Sequence, residues 1–388
     1  MKRSIKMKLL IALLGLVALS FTSCGKDDIV EEKNKETKEA IVKQYLNETV
    51  NPTYGNLAKE AQNLVDHLEA LKANETQSNL NQATVSFLEA RKWWERSEAF
   101  LFGAASDFGI DPHIDSWPLD EDAFNRLMDS PEMIAQLAND EDGTVAGDQL
   151  GNALLGFHGI EYILFRDGQP RDVNDLTDDQ LTYVVAVARD LRNNCFRLEV
   201  SWNDNAPADH VALMEELELG TTVNSSNNTY GGNMLMAGQA GSTYSTFTNA
   251  LQAIADGCID IADEVGTSKI GKPHTGEDPH YVESPYSQKS IVDFHDNIIS
   301  VQNAYMGGIV TNRDEDRSLH AYLADNNAEL DTRVVNAINN ALEKINAMKA
   351  PFVLYYADAT AGTAMEACQE LSDVMAEVKE ELLNIDKK

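Results

Sequence analysis

Apolar residues recur at spacings of three and four along almost the whole chain, and no stretch shows convincing strand alternation. Leu57, Ala61, Leu64, Leu68 and Leu71 form one such stripe, and Ala364, Ala367, Leu371, Val374, Val378 and Leu382 form another. This is the period of a helix with one buried face. It predicts helices over about 38–71, 79–102, 120–137, 150–165, 178–202, 246–265, 291–305, 316–348 and 361–385. Pro52 marks a turn or kink in the first, and Asp178 is placed as the N-cap of the fifth. Asp167-Gly168-Gln169-Pro170 carries turn chemistry, while 103–118, 139–143, 220–245 and 266–287 read as irregular. Helices with one apolar face must bury it against other helices. The expected fold is all-α, two packed helical bundles with a functional cleft between them. Asn, Asp and Pro cluster after Trp202, which places an N-terminal bundle at 38–203 and a C-terminal bundle at 204–388.

The first 23 residues do not belong to that pattern. Lys2, Arg3, Lys6 and Lys8 precede an apolar run from Leu9 to Ala18, followed by Ser20-Phe21-Thr22-Ser23-Cys24. A basic start, a short apolar segment and small residues at a cut site make a secretory signal. The apolar run is shorter than the roughly 20 residues that span a bilayer. Small residues running into Cys24 resemble a bacterial lipobox, with Phe21 where Leu is usual. That implies cleavage before Cys24 and its lipidation; the alternative is an ordinary signal with an incidental Cys. Residues 24–37 read as a flexible acidic tether. Within it, Lys26-Asp27-Asp28 resembles the export tag of surface-exposed outer-membrane lipoproteins of Bacteroidetes. A periplasm-facing lipoprotein is the other reading.

Net charge decides what such a body can meet. It is −32 for the whole chain and −36 once the four basic residues of 1–23 leave with the signal. Nucleic acid is excluded, because its binding rests on Lys and Arg neutralising phosphates. A cation-attracting protein fits. Besides Cys24 there are Cys195, Cys258 and Cys368, with no Cys-x-x-Cys, so a thiolate zinc site or disulfide scaffold is not expected. Three small buried hydrophobes are.

The sharpest local feature is Gly156-Phe157-His158-Gly159-Ile160-Glu161 inside an apolar helix. His158 and Glu161 share a face at i,i+3. Two ionisable groups there need partners, since an unpaired buried charge is costly. They could bind one metal ion, or form a structural His–Glu pair. Gly156 and Gly159 would let another segment approach closely. Arg91 and Glu95, at i,i+4, read by themselves as an ordinary helix pair worth a few tenths of a kcal/mol. Trp93, Trp94 and Trp117 read as packing, and Ser284, Ser287 and Ser290 as helix caps.

Gly-x-His-x-x-Glu in an apolar helix resembles the signature of the imelysin family of M75-type peptidases. Three further blocks resemble that family in order. They are Arg91 to Gly103 with Ser97-Glu98-Ala99-Phe100, Ile114-Asp115-Ser116-Trp117-Pro118-Leu119-Asp120, and Glu283-Ser284-Pro285-Tyr286-Ser287 running into Asp293 and Asn297. Together they span roughly residues 45–307. The resemblance implies two helical bundles with the His-x-x-Glu site between them, in a bacterial envelope protein linked to iron. It implies His158, Glu161, Glu98 and Asp115 as metal-facing residues. Gly156, Arg91, Trp117, Asp120, Glu283, Ser284, Ser287, Asp293 and Asn297 would line the motif and cleft.

Founding members of the family were described as peptidases, but neither His-Glu-x-x-His nor His-x-x-Glu-His occurs here. One imidazole with several carboxylates suits iron, or alternatively zinc or another divalent metal. The leading expectation is an envelope lipoprotein that binds iron or an iron-bearing ligand for uptake, alongside envelope transport proteins. The alternatives are a metallopeptidase using the same residues and a non-catalytic envelope binding module.

Overall fold

The computed structural model describes residues 26–387. Cys24, the signal and the start of the tether lie outside the described residues. Nine long helices carry the architecture: α1 (Lys26–Tyr45), α2 (Asn51–Ala73), α3 (Gln77–Glu95), α4 (Gly156–Leu164), α5 (Asp178–Trp202), α6 (Phe247–Glu264), α7 (Ser290–Met306), α8 (Ala328–Asn346) and α9 (Ala359–Ile385). Shorter helices and helical turns, among them Ala208–Glu216, connect them. The strands among the described residues are two-residue pieces, Phe165–Arg166 and Gln169–Pro170, paired across Asp167 and Gly168. Both turn residues have positive φ, as a tight hairpin requires.

Helices α2, α3, α4 and α5 pack together as one bundle, and α6, α7, α8 and α9 as the other. The stripes read from sequence are the buried faces: Leu57, Ala61, Leu64, Leu68 and Leu71 of α2, and Ala364 through Leu382 of α9. One continuous apolar core runs through both bundles. Where they meet, α7 lies against α3, and the turn Glu98–Phe100 lies against α6 and α7.

Several expectations need correction. Helix α1 begins at Lys26, inside the stretch expected as a tether, because Lys, Glu and Ala are good helix formers. Beyond Tyr45, which meets Phe100, it packs on the C-terminal elements: it lies against α6, Lys38 pairs with Asp386 and donates to Thr248, and Gln44 donates to the Gly307 carbonyl. Pro52 does not turn the chain; a π-helical turn at Leu46–Val50 runs straight into α2, whose first turn needs no proline N–H. Residues 120–137 split into Glu121–Met128 and Pro131–Ala138 at Pro131. The cap of α5 is Thr177, whose hydroxyl accepts from the Gln180 N–H while Gln180 bonds back, a capping box. Cys195, Cys258 and Cys368 are free and buried, as expected.

Candidate metal centre

Four segments converge where the bundles meet, and each is held for a physical reason. Arg91, Trp94 and Glu95 project from the last turns of α3. Asp115 ends the short helix Ile110–Ile114. His158 and Glu161 sit on α4, which starts afresh at Gly156 rather than continuing from 150. Gly156 has a φ of 65°, and a Cβ there would overlap the Ile114 carbonyl, so only glycine lets α4 lie against the residue preceding Asp115. A Cβ on Gly159 would overlap the Tyr183 hydroxyl, which bonds the Leu154 carbonyl at 2.6 Å. The fourth segment, Glu283 to Ser290, leads into α7 with Asp293 and Asn297.

The charged groups form one buried network. Arg91 bridges Asp115, Glu283 and Glu95. Its guanidinium also lies 5.1 Å from the centre of the Phe157 ring. Trp94 Nε1 donates to Asp115 Oδ2 at 2.6 Å. His158 Nε2 stands 3.0 Å from Asp115 Oδ1 but is out of line for a hydrogen bond, and Nδ1 stands 3.4 Å from Glu161 Oε2. Glu161 Oε1 accepts the Ser287 N–H at 2.7 Å. Glu161 therefore ties α4 to the Glu283 segment and orients the imidazole. Asn297 donates to Glu95 Oε2 at 2.5 Å. Lys269 is 1% exposed, with Nζ 3.2 Å from Glu283 Oε1 and 3.8 Å from both Glu95 Oε2 and Glu98 Oε1.

A cleft of about 250 Å³, walled in part by Trp117 and Tyr281, adjoins this network. Glu98, Asp111, Asp115, Glu264 and Lys269 line it. Two sets of ligand atoms lie within 4.8 Å of one another: Asp115, His158 and Glu283, and Glu95, Glu98 and Asp115. The first set fits a metal. It offers imidazole and carboxylate donors, and buried atoms within it, His158 Nε2 and Glu283 Oε2, lack hydrogen-bond partners.

Burial drives the electrostatics. It pushes the Glu95 and Glu98 carboxyls well up, more than Arg91 and Lys269 respectively pull them down, and lifts Asp293 to about 7 and Asp111 to about 6. Asp115 goes the other way: burial opposes its charge, but Arg91 and His158 hold it well below the usual carboxylate range. Burial alone would lower His158; its interactions with Asp115 and Glu161 outweigh that and raise it to about 9. A raised folded-state value means that protonated His158 stabilises the metal-free fold fully below its ordinary 6.5 and loses that contribution as pH rises through about 9. In chelator, urea midpoints should therefore fall between pH 6 and 9.5 in the wild type and fall less in His158→Gln. Equal slopes would reject the assignment.

The residues read from sequence mostly arrive here. His158, Glu161, Asp115, Glu98, Arg91 and Glu283 join the network, Trp117 walls the cleft, and Ser284, Ser287, Asp293 and Asn297 are buried behind it. Asp120 does not; it is exposed and caps Glu121–Met128 by accepting the Ala123 N–H. Ser287 and Ser290 are not caps for α7, whose N-cap Lys289 offers no side-chain bond; Ser290 bonds the Glu283 carbonyl. Arg91 and Glu95 are no surface pair; both are buried, enclosed by Asp115 and Phe157 on one side and by Glu283, Lys269 and Asn297 of the second bundle on the other. Sequence reasoning missed Lys269, Asp111, Glu264 and Tyr281. Only their nearness to the matching blocks hinted at Asp111 and Tyr281; Lys269 lies in an irregular-looking stretch with no signal.

The imelysin (peptidase M75) family model matches residues 50–378, and the chain belongs to that family. Iron-regulated protein A of Synechococcus elongatus is 27% identical over 291 residues, 75% of this chain and 69% of that one. The crystal structure of an iron-regulated protein A precursor from Parabacteroides distasonis is 27% identical, with a TM-score of 0.76 over 90% of this chain and 95% of its own. An imelysin-like protein from Psychrobacter arcticum shares the fold at 15% identity, with a TM-score of 0.54 over 89% and 93% of the two chains.

Proposed function

We propose that this chain is a cell-envelope protein of iron uptake that captures an iron ion as cargo at the inter-bundle centre, with Asp115, His158 and Glu283 as ligands. The observation that carries this reading is the convergence of these three buried groups, from two bundles, beside an acidic cleft that Asp115 lines. The donor set suits a borderline ion such as Fe(II), with Mn(II) and Zn(II) as competitors. Glu161 fixes the imidazole, as a metal-bound histidine requires of its other ring nitrogen. Asp111 and Glu264 line the cleft beside Glu98 and add to the chain's overall attraction for cations. The names of the Synechococcus and Parabacteroides relatives, both called iron-regulated, agree with an iron role. A lipid on Cys24 would hold the protein at the outer membrane, surface-exposed if Lys26-Asp27-Asp28 acts as an export tag. Envelope transport proteins would be its partners.

Calorimetry of residues 26–388 with Fe(II) under anaerobic conditions, and with Mn(II) and Zn(II), tests the reading. We expect one ion per chain, with His158→Ala and Asp115→Asn each weakening binding at least about tenfold, the scale of losing roughly 1.4 kcal/mol. Equal binding by wild type and both variants would falsify the assignment. Incubating the loaded protein with a peptide library assays the peptidase alternative directly.

A further inference from the structure

We infer that Lys269 is a built-in cation that fills the Glu95–Glu98 half of the centre and restricts the chain to a single metal ion. The inference rests on the metal reading above and adds a residue that sets how many ions the centre takes. Two ligand sets meet at Asp115, so the carboxylate framework alone has the donors for two ions. His158 Nε2 and Glu283 Oε2 in the first have no hydrogen-bond partner. Arg91 reaches carboxylates of both sets, and Glu95 Oε1 in the second also lacks a hydrogen-bond partner, but Lys269 stands beside two carboxylates of the second set and only one of the first. In the second, Lys269 Nζ lies equidistant from Glu95 and Glu98, at 3.8 Å, and reaches Glu283 at 3.2 Å.

Among the described residues, the charged partner of the Glu98 carboxylate is Lys269. Glu98 is 6% exposed, and it faces the cleft by which an ion would enter. Removing the ammonium therefore leaves Glu98 without its cation and Glu95 with Arg91 alone, a reachable pair of buried carboxylates with one bridging neighbour in Asp115.

The ammonium is also held in place. Lys269 sits in the π-helical turn Val265–Ile270, and its Nζ lies 5.3 Å from the centre of the Trp117 ring. Gly266 in the same turn packs against α9 so closely that a Cβ would press on Gln369 and the Met365 carbonyl. A lysine on a loose loop could swing away from an incoming ion. This one is anchored by backbone packing and enclosed by three carboxylates.

The test counts Mn(II) ions by equilibrium dialysis with metal analysis, and reads their EPR spectrum. Wild type should hold one ion per chain up to millimolar Mn(II), and Lys269→Arg should do the same. Lys269→Met and Lys269→Gln should each hold two, with the exchange-coupled spectrum of neighbouring ions that share Asp115. The second ion should vanish in Lys269→Met combined with Glu98→Gln. A merely structural role for Lys269 would change stability without adding an ion or coupling spins. A count of one in both neutral variants overturns the inference and leaves the metal reading standing, as does a count of two in the wild type, which can be read even if neither neutral variant folds. No ion in the wild type but one in Lys269→Met, lost with Glu98→Gln, overturns the native metal centre and keeps the assignment of Lys269.

Discussion

Replacing Arg91 with Met lowers the unfolding free energy of the metal-free protein by about 3–5 kcal/mol, the scale of breaking a buried ion pair from one side. The cost arises because Arg91 serves three buried carboxylates at once, Asp115, Glu95 and Glu283. Methionine fills the space beside Phe157 but removes the cation these groups share, leaving Lys269 and His158 as their remaining cationic neighbours. The effect has a signed pH dependence. Losing the guanidinium makes the carboxyls it served easier to protonate, so part of the loss returns as pH falls from 7 to 5. The wild type behaves oppositely at Asp115. Its depressed value gives stability that is present above the ordinary 3.8 and lost as pH falls further. Denaturant titrations at pH 7 and pH 5 measure both. A loss under 1 kcal/mol at pH 7 would mean that Arg91 is not the keystone of the network. Arg91→Lys is expected to recover only part, since one ammonium cannot make the forked contacts to Asp115 and Glu283.

Gly156→Ala is expected to cost about 3 kcal/mol or more, from strain at a positive φ together with overpacking against backbone. The new Cβ must displace the Ile114 carbonyl, and Ile114 precedes Asp115 while Gly156 stands two residues before His158. The same methyl group therefore pushes apart two ligands of the proposed centre. Thermal unfolding and Mn(II) dialysis should fail together in this variant. A Gly156→Ala protein with normal stability and normal binding would show that α4 can start equally well without glycine. Gly151→Ala is the matched control, because nothing lies within 4 Å of a Cβ there.

The two outcomes bear on how the centre is built. Arg91 organises charge, whereas Gly156 organises approach, and neither contacts solvent. Both act by letting segments far apart in sequence share one small volume. Residues 91, 115, 158 and 283 come from four segments of two bundles. A site of that kind is lost when any one segment shifts, so its residues are sensitive to changes that leave every ligand in place.

What the sequence determined by itself was the set of buried helix faces. The stripes of α2 and α9 occur at the positions their spacing required, because burying one side of a 3.6-residue repeat leaves little choice. The Gly-x-His-x-x-Glu helix and the blocks around Arg91, Asp115 and Glu283 were legible for a similar reason: each is a short run whose residue types are unusual in an apolar setting. Partnership across the fold was not legible. Arg91 and Glu95 have the spacing of an ordinary surface pair, and only the segments of both bundles closing over α3 make them core charges. Asp120 shares a block with Asp115 but is turned outward by the helix it caps.

Local sequence also left α1 ambiguous. An acidic, Lys-rich stretch can be a solvated leash or a helix, and contact with α6 and Asp386 settles residues from about 38 onward on the C-terminal bundle. Lys269 is the clearest case of tertiary control. Its neighbours in sequence are Ser268 and Ile270, and nothing about them calls for a buried cation. The π-helical turn and the close packing against α9 carry its ammonium to Glu95, Glu98 and Glu283. Helical periodicity is a property of neighbours along the chain and can be read there. The balance of charge in a sealed space depends on which distant groups arrive, and only the folded chain decides that.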